Sequence, residues 1–276
     1  MTTLEDLLAA LELDARDDGS LQGSSIDEGH GVVFGGQLLA QSLLAGATPT
    51  EVAGKEPLSI HLVFARAARP DAPLDIDVDV VHAGRGFATT SVTIGQGGRP
   101  CTRATVMLHA PDTDLIRHAD PAPPVDGPDR WRAVGPGPWW DLRYVDDVDL
   151  SDPDLVGPAE LAVWSRFPGA PADGPTSRAL LAYASDGFLI GTAMRPHPGV
   201  GQALAHVSIA TTVLSHTLTF HEPFDASDWL LLAHHSTCAG RGRSAGRADV
   251  FTEDGRLVAS YSQESMIRAP AEGSRS

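Results

Sequence analysis

The chain has 276 residues, of which 42% are hydrophobic and 20% charged, and a formal net charge of −16. This length is about twice that of a common domain and predicts two domains or one duplicated domain. The negative charge argues against nucleic-acid binding, which needs clustered Lys and Arg side chains at the phosphates. No apolar run approaches the roughly 18 residues of a membrane span, so we expect no membrane-spanning segment.

The N-terminal residues predict a short amphipathic helix rather than a secretory leader. Thr2 and Glu5 have the spacing of a capping box, and residues 1–8 lack the basic and apolar regions of a signal peptide. Cys101 and Cys238 are too few for a disulfide scaffold and are not spaced as a metal-ligand pair. We therefore expect a cytoplasmic protein with no metal site.

Two segments of the chain repeat each other. Residues 58–86 and 214–242 share nine identities in 29 positions at a constant offset of 156, including the tetrapeptide Ala-Gly-Arg-Gly at 83–86 and 239–242. Such a register predicts a duplicated unit instead of two unrelated domains.

Each copy of the repeat has the pattern of a helix followed by an antiparallel meander. The helix candidates, 34–46 and 177–194, are apolar nearly all round, so we expect both to be buried. Strand patterns separated by Gly-rich turns follow each helix. The predicted strands are 60–64, 74–81, 88–94 and 101–109 in the first copy, 141–148 and 159–167 ahead of the second, and 215–221, 229–235, 245–252 and 257–267 within it.

The composition between the copies sets the predicted domain boundaries. The chain is rich in Asp, Pro and Gly from about 111 to 137, which is typical of a linker. We predict a first repeat at 1–112, a linker at 113–138, a second repeat at 139–270 and a tail at 271–276. The fold class is α+β, an antiparallel sheet wrapped around one helix and repeated in tandem.

Several motifs, taken in order, resemble the acyl-CoA thioesterase II family. They are Phe-Gly-Gly-Gln at 34–37, Tyr-Ala-Ser-Asp at 183–186, Phe-His-Glu-Pro-Phe at 220–224, Asp-Gly-Arg-Leu-Val-Ala-Ser at 254–260 and Gln-Glu at 263–264. The similarity runs from about residue 4 to residue 268 and is weakest in the linker. The resemblance implies a double hotdog fold.

The resemblance also implies an activity, the hydrolysis of acyl-CoA to free fatty acid and CoA by a water held among an aspartate, a glutamine and a hydroxyl. The aspartate carries over to Asp186 and the glutamine to Gln263. An ungapped alignment puts Val213 where the family has Thr or Ser. If the strand is regular, Ser215 takes over the hydroxyl's place, and Thr212 is the alternative if a bulge turns it inward.

Other residues are candidates for substrate binding. Phe34, Gly35 and Gly36 open the first helix, whose backbone N–H groups can stabilise an oxyanion, and glycine lets substrate approach the backbone. Arg241 and Arg243 are candidates for the CoA phosphates. We expect no cofactor beyond the CoA of the substrate, a role in fatty acid metabolism, and a homo-oligomer, since hotdog sheets commonly pair.

Two other functions stay open. A non-catalytic acyl-CoA-binding hotdog protein is compatible with Val213, and a hotdog enoyl-CoA hydratase is less favoured because it needs an Asp and a His together, which the sequence around Asp186 does not offer. The strand spacing puts His216 and His221 on opposite faces. Val106 matches Gln263 in the first copy, which predicts one catalytic site, in the second repeat.

Overall fold

The computed structural model describes residues 2–27, 29 and 31–269, and the predicted tail at 271–276 lies outside them. Within this part of the chain no helix is long and apolar enough to cross a membrane. The helices are α1 (Leu4–Leu11), α2 (Gly35–Gly46), α3 (Gly174–Ser185) and α4 (Leu189–Met194). The strands are β1 (Leu13–Ala15), β2 (Leu21–Gly23), β3 (Glu56–Phe64), β4 (Leu74–Ala83), β5 (Phe87–Gln96), β6 (Arg99–His109), β7 (Asp141–Tyr144), β8 (Glu160–Arg166), β9 (Ala210–Phe220), β10 (Leu230–Gly240), β11 (Arg243–Thr252) and β12 (Leu257–Arg268).

The twelve strands of the described chain form one antiparallel sheet, in the order β1-β2-β4-β5-β6-β3-β9-β12-β11-β10-β8-β7. From the centre outwards, β3, β6, β5 and β4 of the first repeat correspond in order to β9, β12, β11 and β10 of the second. The two copies join where β3 pairs with β9. The predicted α+β double hotdog fold is confirmed, and the duplication inferred from the constant offset is visible in the strand order.

The helices α2 and α3 lie together in the core of the sheet. Both are buried over most of their length, because their apolar residues cover nearly the whole helix circumference. The first turn of α2 meets the last turn of α3 so closely that a methyl group on Gly36 would collide with the carbonyl of Tyr183. The N-terminus of α2 therefore lies against the C-terminus of α3.

Three local predictions need correction. The predicted helix 177–194 is two helices, because α3 ends at Ser185 with Asp186 as its C-cap, and Gly187 follows before α4 begins. The capping box is formed by Thr3 and Asp6 instead of Thr2 and Glu5, with N–H to oxygen distances of 3.1 and 2.8 Å. The short strands β1 and β2 carry no alternating pattern and were not predicted, while β7 is half the predicted length because the chain turns after it.

The linker packs against the second repeat. The carbonyl of Asp126 accepts hydrogen bonds from the indoles of Trp131 at 3.3 Å and Trp164 at 3.0 Å. The bond from Trp164 ties the Pro-rich segment to β8, and the segment covers a second, smaller apolar cluster that includes Trp164.

We predict that Gly36→Ala destabilises the protein, because its methyl group meets backbone that cannot move aside without separating the helices. The free energy of unfolding should fall by about 1–3 kcal/mol in urea denaturation. Gly127→Ala is the matched control, since Gly127 has φ −61° and open space around it. Equal stability of the two variants would show that the helices do not approach this closely.

Candidate active site

A cavity of about 530 Å³ opens where the two repeats meet. Its wall combines the N-terminus of α2, the end of β3 with the segment that follows, and the beginning of β9. Asp186 is the only carboxylate in this largely apolar wall as the structure describes it. The lining residues are Val32, Val33, Phe34, Gly35, Leu38, Phe64, Ala65, Arg66, Ala67, Ala68, Asp186, Ile190, His206, Thr211, Thr212, Val213 and Leu214.

Asp186 stands at the contact between α2 and α3. It is the C-cap of α3, its side chain is only 5% exposed, and its Oδ1 accepts a hydrogen bond from Gln263 Nε2 at 2.9 Å. The other oxygen, Oδ2, lies so close to Gly35 that a methyl group there would collide with it. Glycine at this position is what allows the carboxylate to reach the N-terminus of α2.

Burial controls the charge of this carboxyl group. Removal from water raises the pKa of Asp186 to about 7, against the opposing effects of the Gln263 amide and the backbone N–H of Gly36. The carboxylate and the carboxylic acid are therefore both populated near neutral pH. A group with such a pKa can accept a proton from water and later return it.

Polar side chains are buried behind Asp186. Gln263 on β12 pairs in register with His216 on β9, and both side chains are buried. His216 Nδ1 lies 3.7 Å from Asp186 Oδ1 and its Nε2 lies 3.0 Å from Ser185 Oγ. The expectation that no histidine accompanies Asp186 is therefore wrong, because the fold brings His216 next to it.

A signal for His216 existed in the sequence. It has the same strand parity as Leu218 and Phe220, which marks it as facing the core, but the helix that it would meet could not be inferred. Gln263 lies beside Asp186, where its amide donates to the carboxylate, and it does not line the cavity as the structure describes it.

The predicted hydroxyl residues do not reach Asp186. Ser215 faces away from the core and its Oγ lies 3.3 Å from Glu264 Oε2, so the expectation that it faces the site is wrong.

A bulge does occur in β9, at Leu214, which falls between the partners of Glu264 and Ser265. It leaves Thr212 exposed at the cavity rim, with its hydroxyl directed to the carbonyl of Val213 at 3.3 Å.

The bulge instead turns Thr211 inward. Thr211 pairs with Ile267, is 7% exposed, lines the cavity and places its Oγ1 3.4 Å from Nε2 of His206. The extra residue reverses the parity of the strand, so Val213 and Thr211 share the inner face with His216. Sequence reasoning missed Thr211 because the position of the bulge is set by pairing with β12.

The remaining binding candidates divide into two groups. Phe34 and Gly35 line the cavity, and Gly36 lies next to them at the N-terminus of α2. Arg241 lies in the β10–β11 turn and Arg243 begins β11; both are exposed, and neither lines the cavity as the structure describes it. Arg66 follows β3 and is the arginine of the described cavity wall.

The first repeat has apolar residues where the second has its polar set. Ala47 is the C-cap of α2 as Asp186 is that of α3, and Val106 pairs with Ile60 as Gln263 pairs with His216. Ile60 and Val106 are both fully buried.

No group of three or more metal-ligating His, Cys, Asp or Glu side chains is present in the described residues.

Comparison with known proteins identifies the family. A family model described as the acyl-CoA thioesterase C-terminal domain matches residues 118–267, and one described as the N-terminal domain matches residues 24–109. The chain belongs to the acyl-CoA thioesterase family. The resemblance to acyl-CoA thioesterase II is thereby confirmed, and membership of this family makes the protein a thioester hydrolase.

Whole-length relatives support the assignment. Acyl-CoA thioesterase 2 of Haemophilus influenzae is 29% identical over 286 residues, covering 96% of this chain and 98% of that protein. The tesB protein of Mycobacterium avium subspecies paratuberculosis has a structure with a TM-score of 0.82 at 26% identity, covering 96% of this chain and 99% of that one. The acyl-CoA thioesterase II TesB2 of Mycobacterium marinum has a TM-score of 0.79 at 27% identity, covering 98% and 99%.

We predict that Asp186→Asn stabilises this thioesterase above neutral pH. The folded state raises the pKa of Asp186 from 3.8 to about 7, so the wild type loses stability as the pH rises between these two values. The loss is on the order of 2–4 kcal/mol. Asparagine stays neutral, so the variant does not show this loss. Urea denaturation should show a stability gap that widens from pH 5 to pH 8. Asp77→Asn, on the exposed side of β4, is the control and should show no widening.

Proposed function

We propose that this thioesterase hydrolyses fatty acyl-CoA to free fatty acid and CoA with Asp186 as the general base. The observation that carries the proposal is a single buried carboxylate at the wall of an apolar cavity, held at the N-terminus of α2. The apolar wall suits an acyl chain, and the carboxylate suits activation of water. The names of the relatives, acyl-CoA thioesterase 2 and acyl-coenzyme A thioesterase 8, support the same substrate class.

The chemistry needs few groups. Ionised Asp186 accepts a proton as water attacks the thioester carbonyl carbon, and the resulting oxyanion is stabilised at the N-terminal turn of α2 by its backbone dipoles. Collapse of the tetrahedral intermediate expels the CoA thiolate. A thiol pKa of about 8.5 makes this a good leaving group, so no nucleophilic serine is required.

The orienting hydroxyl is assigned to Thr211. It is the inward-facing hydroxyl of β9 at the cavity, whereas Thr212 is exposed at the rim and Ser215 faces Glu264. We assign Gln263 to holding the Asp186 carboxylate, because its amide nitrogen is already engaged there. The water would then be held by Asp186 and Thr211.

Each chain is proposed to have one such site. The corresponding positions of the first repeat, Ala47, Ile60 and Val106, have no side chain that can act as a base or bond to water. The first repeat contributes the N-terminus of α2 and the second contributes the carboxylate. Both repeats are therefore needed for a single active site.

A hydratase is the second candidate, since His216 accompanies Asp186 at 3.7 Å. It is disfavoured because His216 is fully buried and does not line the cavity as described, so it has no access to substrate. An acyl-CoA-binding protein without turnover is the non-enzymatic alternative, and family membership argues against it. We further propose a cytoplasmic homo-oligomer in fatty acid metabolism that needs no cofactor beyond the CoA of its substrate.

We predict that Asp186→Asn lowers kcat for a medium-chain acyl-CoA by at least about 100-fold, as expected for loss of a general base. Release of free CoA thiol is the measurement, with Asp77→Asn as the matched surface control. An undiminished rate in Asp186→Asn would rule out this base.

The pH dependence follows from the raised pKa of Asp186. Because the base acts as carboxylate, kcat/KM should rise about tenfold per pH unit below about pH 7 and level off above it. A profile that is flat from pH 5 to pH 8 would mean that another group activates the water.

We predict that Thr211→Val slows turnover about 2- to 12-fold, which corresponds to one hydrogen bond to a positioned water. Ser215→Ala should leave the rate unchanged, because its hydroxyl faces Glu264 on the outer face. Thr212→Val tests the rim position in the same assay. A slower Thr212→Val with an unaffected Thr211→Val would reverse the assignment of the hydroxyl.

A further inference from the structure

A buried histidine lies behind Asp186 and has no part in the hydrolysis proposed above. The side chain of His216 is 0% exposed, and its Nδ1 is 3.7 Å from Asp186 Oδ1. It does not line the described cavity, so it cannot touch a substrate. Any effect of this imidazole on the reaction must pass through its neighbours.

The hydrogen bonds around His216 define its tautomer. The hydroxyl of Ser185 donates to the carbonyl of Ala182 at 2.9 Å, which leaves the Ser185 oxygen to accept from His216 Nε2 at 3.0 Å. Nε2 therefore carries the proton. In a neutral imidazole the other nitrogen, Nδ1, is then an acceptor.

The amide of Gln263 completes the network. A carboxylate only accepts hydrogen bonds, so the amide nitrogen, not the oxygen, must face Asp186 Oδ1, at 2.9 Å. The same nitrogen lies 3.4 Å from His216 Nδ1, while the amide oxygen accepts from Ser265 Oγ at 3.2 Å. The two amide hydrogens are thus divided between His216 and Asp186.

The surroundings keep His216 neutral. Burial lowers its pKa, and His61 on the adjacent strand β3 lowers it further. The ring of Tyr261 stacks on the imidazole with 5.4 Å between the ring centroids. The Tyr261 hydroxyl is hydrogen-bonded to His234 at 2.5 Å. Burial raises the pKa of Tyr261 and lowers the pKa of His234. Asp186 is the remaining titratable group that faces His216 within the part of the chain that the structure describes.

Packing alone does not require an imidazole here. Ile60 occupies the corresponding register position in the first repeat, opposite Val106, and is equally buried. The same fold therefore accommodates hydrocarbon at both positions, and removing a polar ring from water is unfavourable unless its hydrogen bonds are made. The first repeat folds without polar side chains at these positions, so His216 and Gln263 in the second repeat serve a purpose other than packing.

We propose that His216 is a positioning residue: by accepting one amide hydrogen of Gln263 at Nδ1, it holds the other on Asp186 Oδ1 and leaves Oδ2 toward α2 and the cavity. This inference rests on the proposed role of Asp186 as base. It makes the orientation of Gln263, and through it that of the carboxylate, depend on a neutral histidine.

Two substitutions separate the nitrogens. Asparagine places its amide oxygen near the position of Nδ1 and can still accept from Gln263, whereas glutamine places its nitrogen near Nε2 and keeps only the bond to Ser185. His216→Gln should lower kcat about 10-fold at unchanged KM, as expected for loss of one hydrogen bond. His216→Asn should keep kcat close to the wild-type value, because the acceptor for Gln263 is retained.

The pH profile gives a readout that a packing defect would not change. If Gln263 turns away in His216→Gln, the carboxylate loses a donor that favours its charged form, and the acid limb of kcat/KM should move above its wild-type position near pH 7. His216→Asn should keep the wild-type limb. His234→Asn, which removes another buried imidazole, is the matched control and should reduce stability without moving the limb.

The outcomes distinguish the two proposals. Loss of activity in Asp186→Asn together with identical rates and limbs in His216→Gln and His216→Asn would overturn the positioning role alone. Retention of activity in Asp186→Asn would overturn the base itself. Nitrogen-15 NMR of the His216 ring should report a neutral Nε2–H tautomer from pH 6 to pH 8, and an imidazolium or an Nδ1–H tautomer would contradict the network directly.

Discussion

The contact between the first turn of α2 and the C-cap of α3 is the constraint on which the proposed active site depends. Gly35 and Gly36 have no side chains, so the two helices approach until the Asp186 carboxylate meets the positive end of the α2 dipole. One repeat supplies the dipole and the other the charge. The joined sheet, paired through β3 and β9, keeps these two parts in register.

The position of Asp186 is unfavourable for folding and useful for chemistry. Burial destabilises its charged form, while the Gln263 amide and the Gly36 N–H partly offset that loss. The balance leaves a carboxyl group with a pKa near 7, a value that suits a base working at neutral pH. A fully hydrated aspartate would be a weaker base, and a fully buried one without donors would stay protonated.

The two repeats share one fold but carry different residues at corresponding positions. In the first repeat, Ala47, Ile60 and Val106 continue the hydrophobic core. In the second, the corresponding positions hold Asp186, His216 and Gln263, linked by hydrogen bonds that satisfy nearly every polar atom of the group. The fold tolerates both sets because the strand pairing is carried by backbone hydrogen bonds that do not depend on them.

The sequence by itself determined the duplicated antiparallel architecture, because strand alternation and a constant offset of 156 are local and periodic signals. Through their resemblance to a known family, its contiguous motifs also pointed to Asp186, Gln263 and the glycines of α2. The inward turn of Thr211 and the approach of His216 to Asp186 were decided only by tertiary structure. A bulge at Leu214 changes which face a side chain occupies, and the partner strand and the packed helix that fix this choice lie tens of residues away.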